Sequence, residues 1–206
     1  PTMAESRLLP TKRHAYPSMK VKLSADADRR LNALFLDFTM DKGAYTVNGP
    51  VILGRAIMMM QGSYHIPHIK AFGKNVYTNN SFGGSARGAG PPQTVFATES
   101  ALDMLAEQIR MDPLEFRRMN SLKPGQSKAT GMEVKEWSFV EVCDAIQPAY
   151  ERAKREAAAF NAKAGKIKRG VGIAAFSFGI GGAGDSAKLS IELEPDDGIT
   201  IYAACA

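Results

Sequence analysis

Alternation of apolar and polar residues predicts paired strands early in the chain. Residues 19–23 alternate Met, Val and Leu with lysines, and after the turn-like stretch 26–30 the run 31–40 is largely apolar. This pattern is typical of a β-hairpin. Further strands are predicted at 66–75 and at 171–178, where short apolar runs are bounded by Pro or Gly.

A second hairpin is predicted near the end of the printed sequence. Aliphatic residues occupy every second position in 189–193 and again at Ile199 and Ile201. The intervening Asp197-Gly198 is a dipeptide that favours tight hairpin turns.

Helical spacing dominates the middle of the chain. A short helix is predicted at 51–61, and a stronger one begins near Gln93, after Pro91 and Pro92, which the first turn of a helix tolerates. Asp112 is the predicted N-cap of a third helix. The apolar face of the stronger helix consists of Val95, Leu102, Leu105, Ala106 and Ile109.

A long charged helix is predicted over 138–163, with Pro148 expected to kink or split it. Its inner side is predicted to carry Phe139, Val142, Ile146 and Tyr150. The loop before it places an internal subdivision near 124–137. Strands and helices together predict an α+β fold with mostly antiparallel strands and packed helices.

The composition is that of a globular protein. Of 206 residues, 45% are hydrophobic and 23% charged, and no apolar run approaches the roughly 18 to 20 residues that a membrane span needs. The two cysteines, Cys143 and Cys205, cannot form an iron–sulfur site by themselves, and so sparse a set favours the cytoplasm. The net charge of +5, concentrated in residues 1–30, suits an anionic ligand, an acidic partner or nucleic acid.

Two apparent motifs carry little weight. Gly179, Gly181 and Gly184 spell G-x-G-x-x-G, but a predicted strand follows where a dinucleotide site needs a helix. His65 and His68 lie three residues apart in an extended segment, so they point to opposite faces and are poorly placed to share a metal.

The stretch 81–101 carries the strongest chemical signal. It places five glycines, two prolines and Arg87 directly before a predicted helix. Glycines let a backbone approach a ligand, and a helix N-terminus with an arginine favours anions. An ordinary turn with a solvent-facing arginine would have the same spacing.

The same stretch resembles a known family. The run R-G-A-G-P-P-Q-T-V-F-A-T-E-S-A-L-D-M-L-A, continued by M-D-P-L-E-F-R-R-M-N-S-L-K-P-G, resembles the molybdenum-binding subunit of the xanthine oxidase and aldehyde oxidoreductase family. Supporting stretches are T-K-R-H-A-Y-P, Y-H-I-P-H-I-K-A-F-G-K-N-V-Y-T-N and K-R-G-V-G-I-A. They occur in the family's order over nearly the whole chain.

The resemblance implies an oxidoreductase that hydroxylates an electron-poor carbon of an aldehyde or N-heterocycle with oxygen from water. It implies molybdenum with a pterin, in a dinucleotide form. Iron–sulfur clusters and FAD are expected on partner chains, together with the rest of the molybdenum subunit.

The resemblance also assigns site residues. It places Arg87, Gly88 and Gly90 at the cofactor, with the backbone N–H of Arg87 near the oxygen ligands of molybdenum, and Arg55 against the substrate. An aromatic residue that stacks on substrate in the family is replaced by Ala89, and its phenylalanine before the arginine by Ala86, so a differently shaped pocket is expected.

Other family parts fall outside the sequence, including the glutamate that acts as general base. Residues 1–206 are therefore expected to be part of a molybdopterin-binding domain, as a fragment or a split subunit, and inactive alone. Two alternatives stay open: a structural or assembly subunit that has lost the site, and a basic anion- or nucleic-acid-binding module.

Overall fold

The computed structural model describes residues 12–13, 15–46, 48–84, 88–163, 165–178, 189–196 and 198–203. Seven strands and four helices lie within these ranges. The strands are β1 Lys12–Arg13, β2 Ala15–Ala25, β3 Leu31–Asp41, β4 His68–Val76, β5 Gly83–Gly84, β6 Leu189–Leu193 and β7 Ile199–Ala203. The helices are α1 Gly49–Met59, α2 Pro91–Gln108, α3 Pro113–Met119 and α4 Phe139–Asn161.

A three-stranded sheet of order β2-β3-β4 is the centre of the fold. β2 and β3 form the predicted antiparallel hairpin, closed by a turn in which Asp26 Oδ1 accepts hydrogen bonds from the amides of Asp28 and Arg30. β4 pairs with β3 in parallel, a pairing that the sequence pattern did not indicate. Parallel neighbours need a crossover connection, and α1 provides it.

The two faces of this sheet differ in character. The inner face of β3 buries Leu34, Leu36, Phe38 and Met40, and the first three belong to a core cluster that includes residues of α1, α2 and α3. The outer face, which follows from the strand register, carries Phe35 and Phe72 in edge-to-face contact. Around them the outer face exposes Lys20, Lys22, Lys70 and Lys74.

α4 differs from its prediction in two respects. It runs unbroken through Pro148, so the expected split does not occur. Phe139 and Tyr150 pack inward as expected, but Val142 and Ile146 are 59% and 44% exposed. They line a groove of about 460 Å³ beside residues 173–177, because an amphipathic period marks an apolar face without specifying what covers it.

The predicted strand at 171–178 is wrong for the part of the chain that the structure describes. These residues form no strand pairing there. The amide of Ala175 donates instead to Glu99 Oε2 at 2.9 Å, so a side chain takes the place of a ladder partner.

β6 and β7 form the second predicted hairpin, with Leu189 opposite Ala203 and Leu193 opposite Ile199. The α+β class is thus confirmed, with a mixed central sheet. Among the described residues, no helix is long and apolar enough to cross a membrane. Cys143 is a buried free thiol, whereas Cys205 and the glycines 179–184 lie outside the described ranges.

Candidate functional site

The loop before α2 has an unusual backbone. Gly88, Ala89 and Gly90 have φ values of 97°, 41° and 104°, three successive residues in a region that side chains disfavour. Glycine adopts such values freely, whereas Ala89 does so at a conformational cost. From residue 88 to 90 the loop carries one methyl group as its only side chain; Gly88 and Ala89 are half-buried and Gly90 is buried.

Gly90 rests directly on the backbone of α1. A Cβ atom built on it would lie 2.5 Å from the carbonyl oxygen of Ile52 and 3.2 Å from the Cβ of Ala56. On Gly88 a Cβ would lie 2.5 Å from Cγ of Pro92. Both glycines are thus required by close packing within the chain, independently of any ligand.

Arg55 lies on the same helix as this contact. It follows Ile52 by three residues and precedes Ala56, so it emerges from α1 close to the line along which the loop packs. Its side chain is exposed. Arg55 is therefore an exposed residue of the same helix on which Gly90 packs.

Two buried threonines fix α2 against α1. Thr94 Oγ1 donates to the carbonyl of Ala56 at 3.0 Å, and Thr98 Oγ1 donates to the carbonyl of Met60 at 2.9 Å. Both hydroxyls are satisfied in a desolvated contact, where an unmade hydrogen bond would be costly. These bonds hold α2, which follows the loop, against the helix that carries Arg55.

The first turn of α2 does not supply the donors expected of a helix start. Its first two residues, Pro91 and Pro92, have no backbone N–H, and the amide of Gln93 already donates to the carbonyl of Gly90 at 3.2 Å. The sequence-based interpretation of a helix N-terminus rich in unpaired N–H groups is therefore wrong in this turn. Backbone donors for a ligand have to come from the loop itself.

The side chain of Gln93 adds a polar group next to the loop. Its Oε1 atom is buried and has no hydrogen-bond partner among the described residues. Buried amide oxygens are normally paired, so an unpaired one beside a glycine loop marks a place where a donor is missing. Nothing in the sequence analysis singled out this residue.

A buried ionic network lies further along α2. Glu99 accepts hydrogen bonds from Tyr64 Oη at 2.6 Å, through Oε1, and from Arg117 Nε at 2.8 Å, through Oε2. Burial, followed by the charge of Glu99, raises the pKa of Tyr64, which stays protonated and donates. Burial opposes the charge on Arg117, but attraction to Glu99 outweighs it and the pKa of Arg117 is raised.

This network also was missed at the sequence level, although a signal was present. Glu99 lies four residues after Val95 and three before Leu102, on the apolar stripe of α2. A carboxylate at such a position needs a cationic partner, and the partner, Arg117, lies on α3.

Arg87 lies outside the described residues, as do Ser85 and Ala86. Its role at the cofactor stays a prediction. Across the described part of the chain, no group of three or more His, Cys, Asp or Glu residues could hold a metal ion.

Comparison with known proteins connects this geometry to a family. Residues 2–121, more than half of the chain, match the family model of the molybdopterin cofactor-binding domain. The chain belongs to this family. The resemblance seen in the sequence is confirmed.

Relatives of known activity agree with the assignment. The chain is 37% identical over 191 residues to the aldehyde oxidoreductase of Megalodesulfovibrio gigas, covering 90% of this chain and 20% of that protein. It is 34% identical over 149 residues to the nicotinate dehydrogenase large molybdopterin subunit of Eubacterium barkeri, covering 72% and 34% respectively. The chain thus spans about a fifth to a third of the length of these relatives.

Solved structures show the same fold. The aldehyde oxidoreductase of Desulfovibrio desulfuricans superposes with a TM-score of 0.85 at 30% identity, over 93% of this chain and 21% of that chain. The enzyme of Desulfovibrio gigas superposes with a TM-score of 0.77 at 32% identity, over the same shares.

The residues of the loop fit a pterin group. Pterins carry N–H donors on a flat ring, and the unpaired, buried Oε1 of Gln93 is an acceptor beside the loop.

Proposed function

We propose that this chain forms one wall of the molybdenum–pterin pocket in a molybdenum hydroxylase. The observation that carries the proposal is the packing of Gly90 on the backbone of α1, the helix that carries the exposed Arg55. In the proposed pocket this loop faces the cofactor and Arg55 faces the substrate. Family membership supports the identity of the cofactor.

In this proposal each residue has a distinct task. The backbone of Gly88–Gly90, with the predicted contribution of Arg87, binds the cofactor, and the side-chain Oε1 of Gln93 accepts a hydrogen bond from the pterin. Arg55 orients the substrate. Ala89 takes the place of a stacking aromatic and leaves room for a bulkier or differently shaped substrate. When bound, the cofactor supplies the oxidising centre at which a carbon is hydroxylated with oxygen derived from water.

The substrate class we favour is a carboxylated N-heterocycle resembling nicotinate. A guanidinium pairs with a planar carboxylate through two parallel hydrogen bonds, and an exposed Arg55 is available for such a pair. The relative from Eubacterium barkeri is named a nicotinate dehydrogenase. Aldehydes and purines are the alternative substrate classes.

The assembled enzyme needs further parts. We propose that the remaining part of the molybdenum subunit supplies the catalytic base, and that iron–sulfur clusters and FAD on partner chains carry electrons away. The setting we propose is the cytoplasm. The chain by itself is expected to be inactive.

Replacing Arg55 with Met in the assembled enzyme tests the substrate role. Loss of a charge-assisted hydrogen bond worth about 1.5–3 kcal/mol corresponds to a roughly tenfold to hundredfold fall in kcat/KM for a carboxylated substrate. Molybdenum content should stay unchanged, and a neutral aldehyde should be affected less. Arg155→Met, which removes an exposed arginine from α4, is the matched control.

Unchanged kinetics of the Arg55→Met enzyme with every substrate would exclude the substrate role.

For the loop, Arg87→Glu should lower the amount of bound molybdenum, measured by elemental analysis, because a negative charge would oppose the anionic cofactor. Full occupancy and activity in that variant would count against the assignment.

Ala89 favours the second candidate function, a structural or assembly subunit that has lost its site. A side chain of one methyl at φ 41° cannot provide the stacking surface of the family. Metal analysis of the assembled wild-type complex separates the two, since a purely structural subunit would contain no molybdenum.

A further inference from the structure

The hairpin of β6 and β7 has two chemically different faces. In its register Ile191 lies opposite Ile201, and Leu193 lies opposite Ile199. Because side chains of paired residues share a face, these four aliphatic groups form one surface, which we call the hairpin face. The alternate positions Ser190, Glu192 and Thr200 lie on the other side.

The hairpin face is largely uncovered by the described residues. The exposed fractions are 63% for Ile191, 77% for Leu193, 64% for Ile199 and 58% for Ile201. A two-stranded sheet is marginally stable in water by itself and needs a partner for its apolar face. Four large aliphatic side chains grouped on one surface mark an interaction site rather than scattered surface residues.

We infer that the hairpin face docks permanently against another part of the molybdenum subunit, outside the matched segment. This inference rests on the proposed function in that it takes the chain as part of such a subunit. It adds the surface through which this part joins the rest, and the chemistry of the partner: an apolar face of a sheet or helix.

The extent of the relatives identifies the occupant. In the solved structure from Desulfovibrio desulfuricans the matching segment is 21% of one polypeptide, so nearly four fifths of that same chain lies elsewhere. Most of the polypeptide available to cover this face thus lies in the same chain, and we take that chain as the occupant; a second copy and an electron-transfer chain are the outcomes that the test distinguishes.

The composition of the face agrees with a permanent contact. No charged residue lies among Ile191, Leu193, Ile199 and Ile201, and apolar interfaces without charges are typical of obligate assemblies. Each strand of the hairpin has only one neighbour within the described ranges, so an added strand could also pair with its edges.

Photo-crosslinking in the complete assembled enzyme tests the inference. Benzoylphenylalanine at Leu193 keeps an apolar side chain on the face, and the same probe at Ser190 on the opposite side is the control. We expect Leu193 to crosslink to a peptide of the molybdenum subunit from outside the matched segment, identified by mass spectrometry, and Ser190 to give at least tenfold less of that product. Crosslinks from Leu193 to a second copy of the hairpin or to an iron–sulfur or flavin chain, or no crosslink, would overturn the inference.

Charged variants give an independent measurement. Ile201→Lys should lower the yield of assembled enzyme about tenfold or more, whereas Ser190→Lys should leave it within twofold of wild type. Equal yields for both variants contradict the inference. Molybdenum analysis keeps the two proposals apart: a Leu193 crosslink in an enzyme without molybdenum would refute the cofactor role and support the docking.

Discussion

Nε of Arg117 lies 2.8 Å from Oε2 of Glu99, and both side chains are almost completely buried, at 1% and 6% exposure. The same carboxylate oxygen accepts the amide of Ala175, and its partner oxygen accepts Tyr64 Oη. One glutamate thereby joins α2, α3, the segment after α1 and the extended stretch 165–178. The orientation of α2, which begins at the candidate cofactor loop, depends on this contact.

Glu99→Gln should lower the free energy of unfolding by about 3 kcal/mol, the lower end of the range for a buried pair that loses one charge. The guanidinium of Arg117 would remain buried with Asp103 as its nearest anion, at 2.8 Å. Urea unfolding at pH 7 measures the difference.

Asp103→Asn is the control for the same guanidinium. Asp103 is 48% exposed, and exposed pairs contribute only about 0–1 kcal/mol. If Glu99→Gln and Asp103→Asn lowered the free energy of unfolding equally, burial of Glu99 would not be the reason for its contribution to stability.

Gly90→Ala should disrupt the contact of the loop with α1. The new methyl group would lie 2.5 Å from the carbonyl oxygen of Ile52, so the helix or the loop must move. We expect a loss of roughly 2–4 kcal/mol in unfolding free energy, combining overpacking with a disfavoured φ.

Gly125→Ala isolates the backbone part of that loss. Gly125 has a φ of 84°, and nothing lies within 4 Å of a Cβ built on it. Its substitution should cost about 1–2 kcal/mol. If Gly90→Ala and Gly125→Ala lower the free energy of unfolding by the same amount, the requirement for glycine at position 90 comes from its φ and not from close packing on α1.

Asp112→Ala should destabilise α3 in a pH-dependent way. Asp112 Oδ1 accepts from the amides of Leu114 and Glu115, and Oδ2 accepts from Lys154 at 2.8 Å. Burial opposes the charged carboxylate, but the hydrogen bond from Lys154 and those from the two amides outweigh it, so the pKa of Asp112 is lowered. Loss of the cap should cost about 0.5–2 kcal/mol at pH 7.

The lowered pKa fixes the direction of the pH dependence. The stabilisation is fully present above the unfolded-state value of about 4 and is lost as the pH falls through the lower folded-state value. Denaturation from pH 7 to pH 2 should therefore show the alanine variant approaching wild type in acid. Asp112→Asn, which keeps an acceptor, should be close to wild type at pH 7 apart from the lost ion pair.

Cys143 should resist alkylation in the folded protein. Burial, followed by the charge of Asp144, raises the pKa of its thiol, and the thiolate is the reactive form. Iodoacetamide at pH 8, with mass spectrometry of the tryptic peptide, should modify it at least tenfold more slowly than in urea. Equal rates in both conditions would contradict its burial.

Local patterns predicted local structure well. Both hairpins, the helix after Pro91 and Pro92, and the cap at Asp112 follow from residues adjacent in sequence, and the structure contains them. Long-range choices were not predictable in the same way. The parallel pairing of β4 with β3 depends on α1 as a crossover, and the amide of Ala175 bonds to a carboxylate 76 residues away.

The site shows the same division. Family resemblance assigned Arg55 to the substrate and Gly88 and Gly90 to the cofactor; in the structure Gly90 packs on the helix that carries Arg55, and the roles themselves stay predictions. The contacts that hold them there had no local signal, because Thr94 and Thr98 bond to carbonyls 38 residues away. The loss of backbone donors at Pro91 and Pro92 was readable from the sequence, since proline has no N–H.

The lysines on the outer face of the central sheet affect how the protein behaves at high concentration. Lys20 and Lys22 lie on β2, and Lys70 and Lys74 lie on β4, the two outermost strands of that sheet. Positive charges on outer strands oppose the edge-to-edge stacking from which aggregates grow. We therefore expect any self-association of the isolated chain to use the hairpin of β6 and β7 rather than the edges of the central sheet.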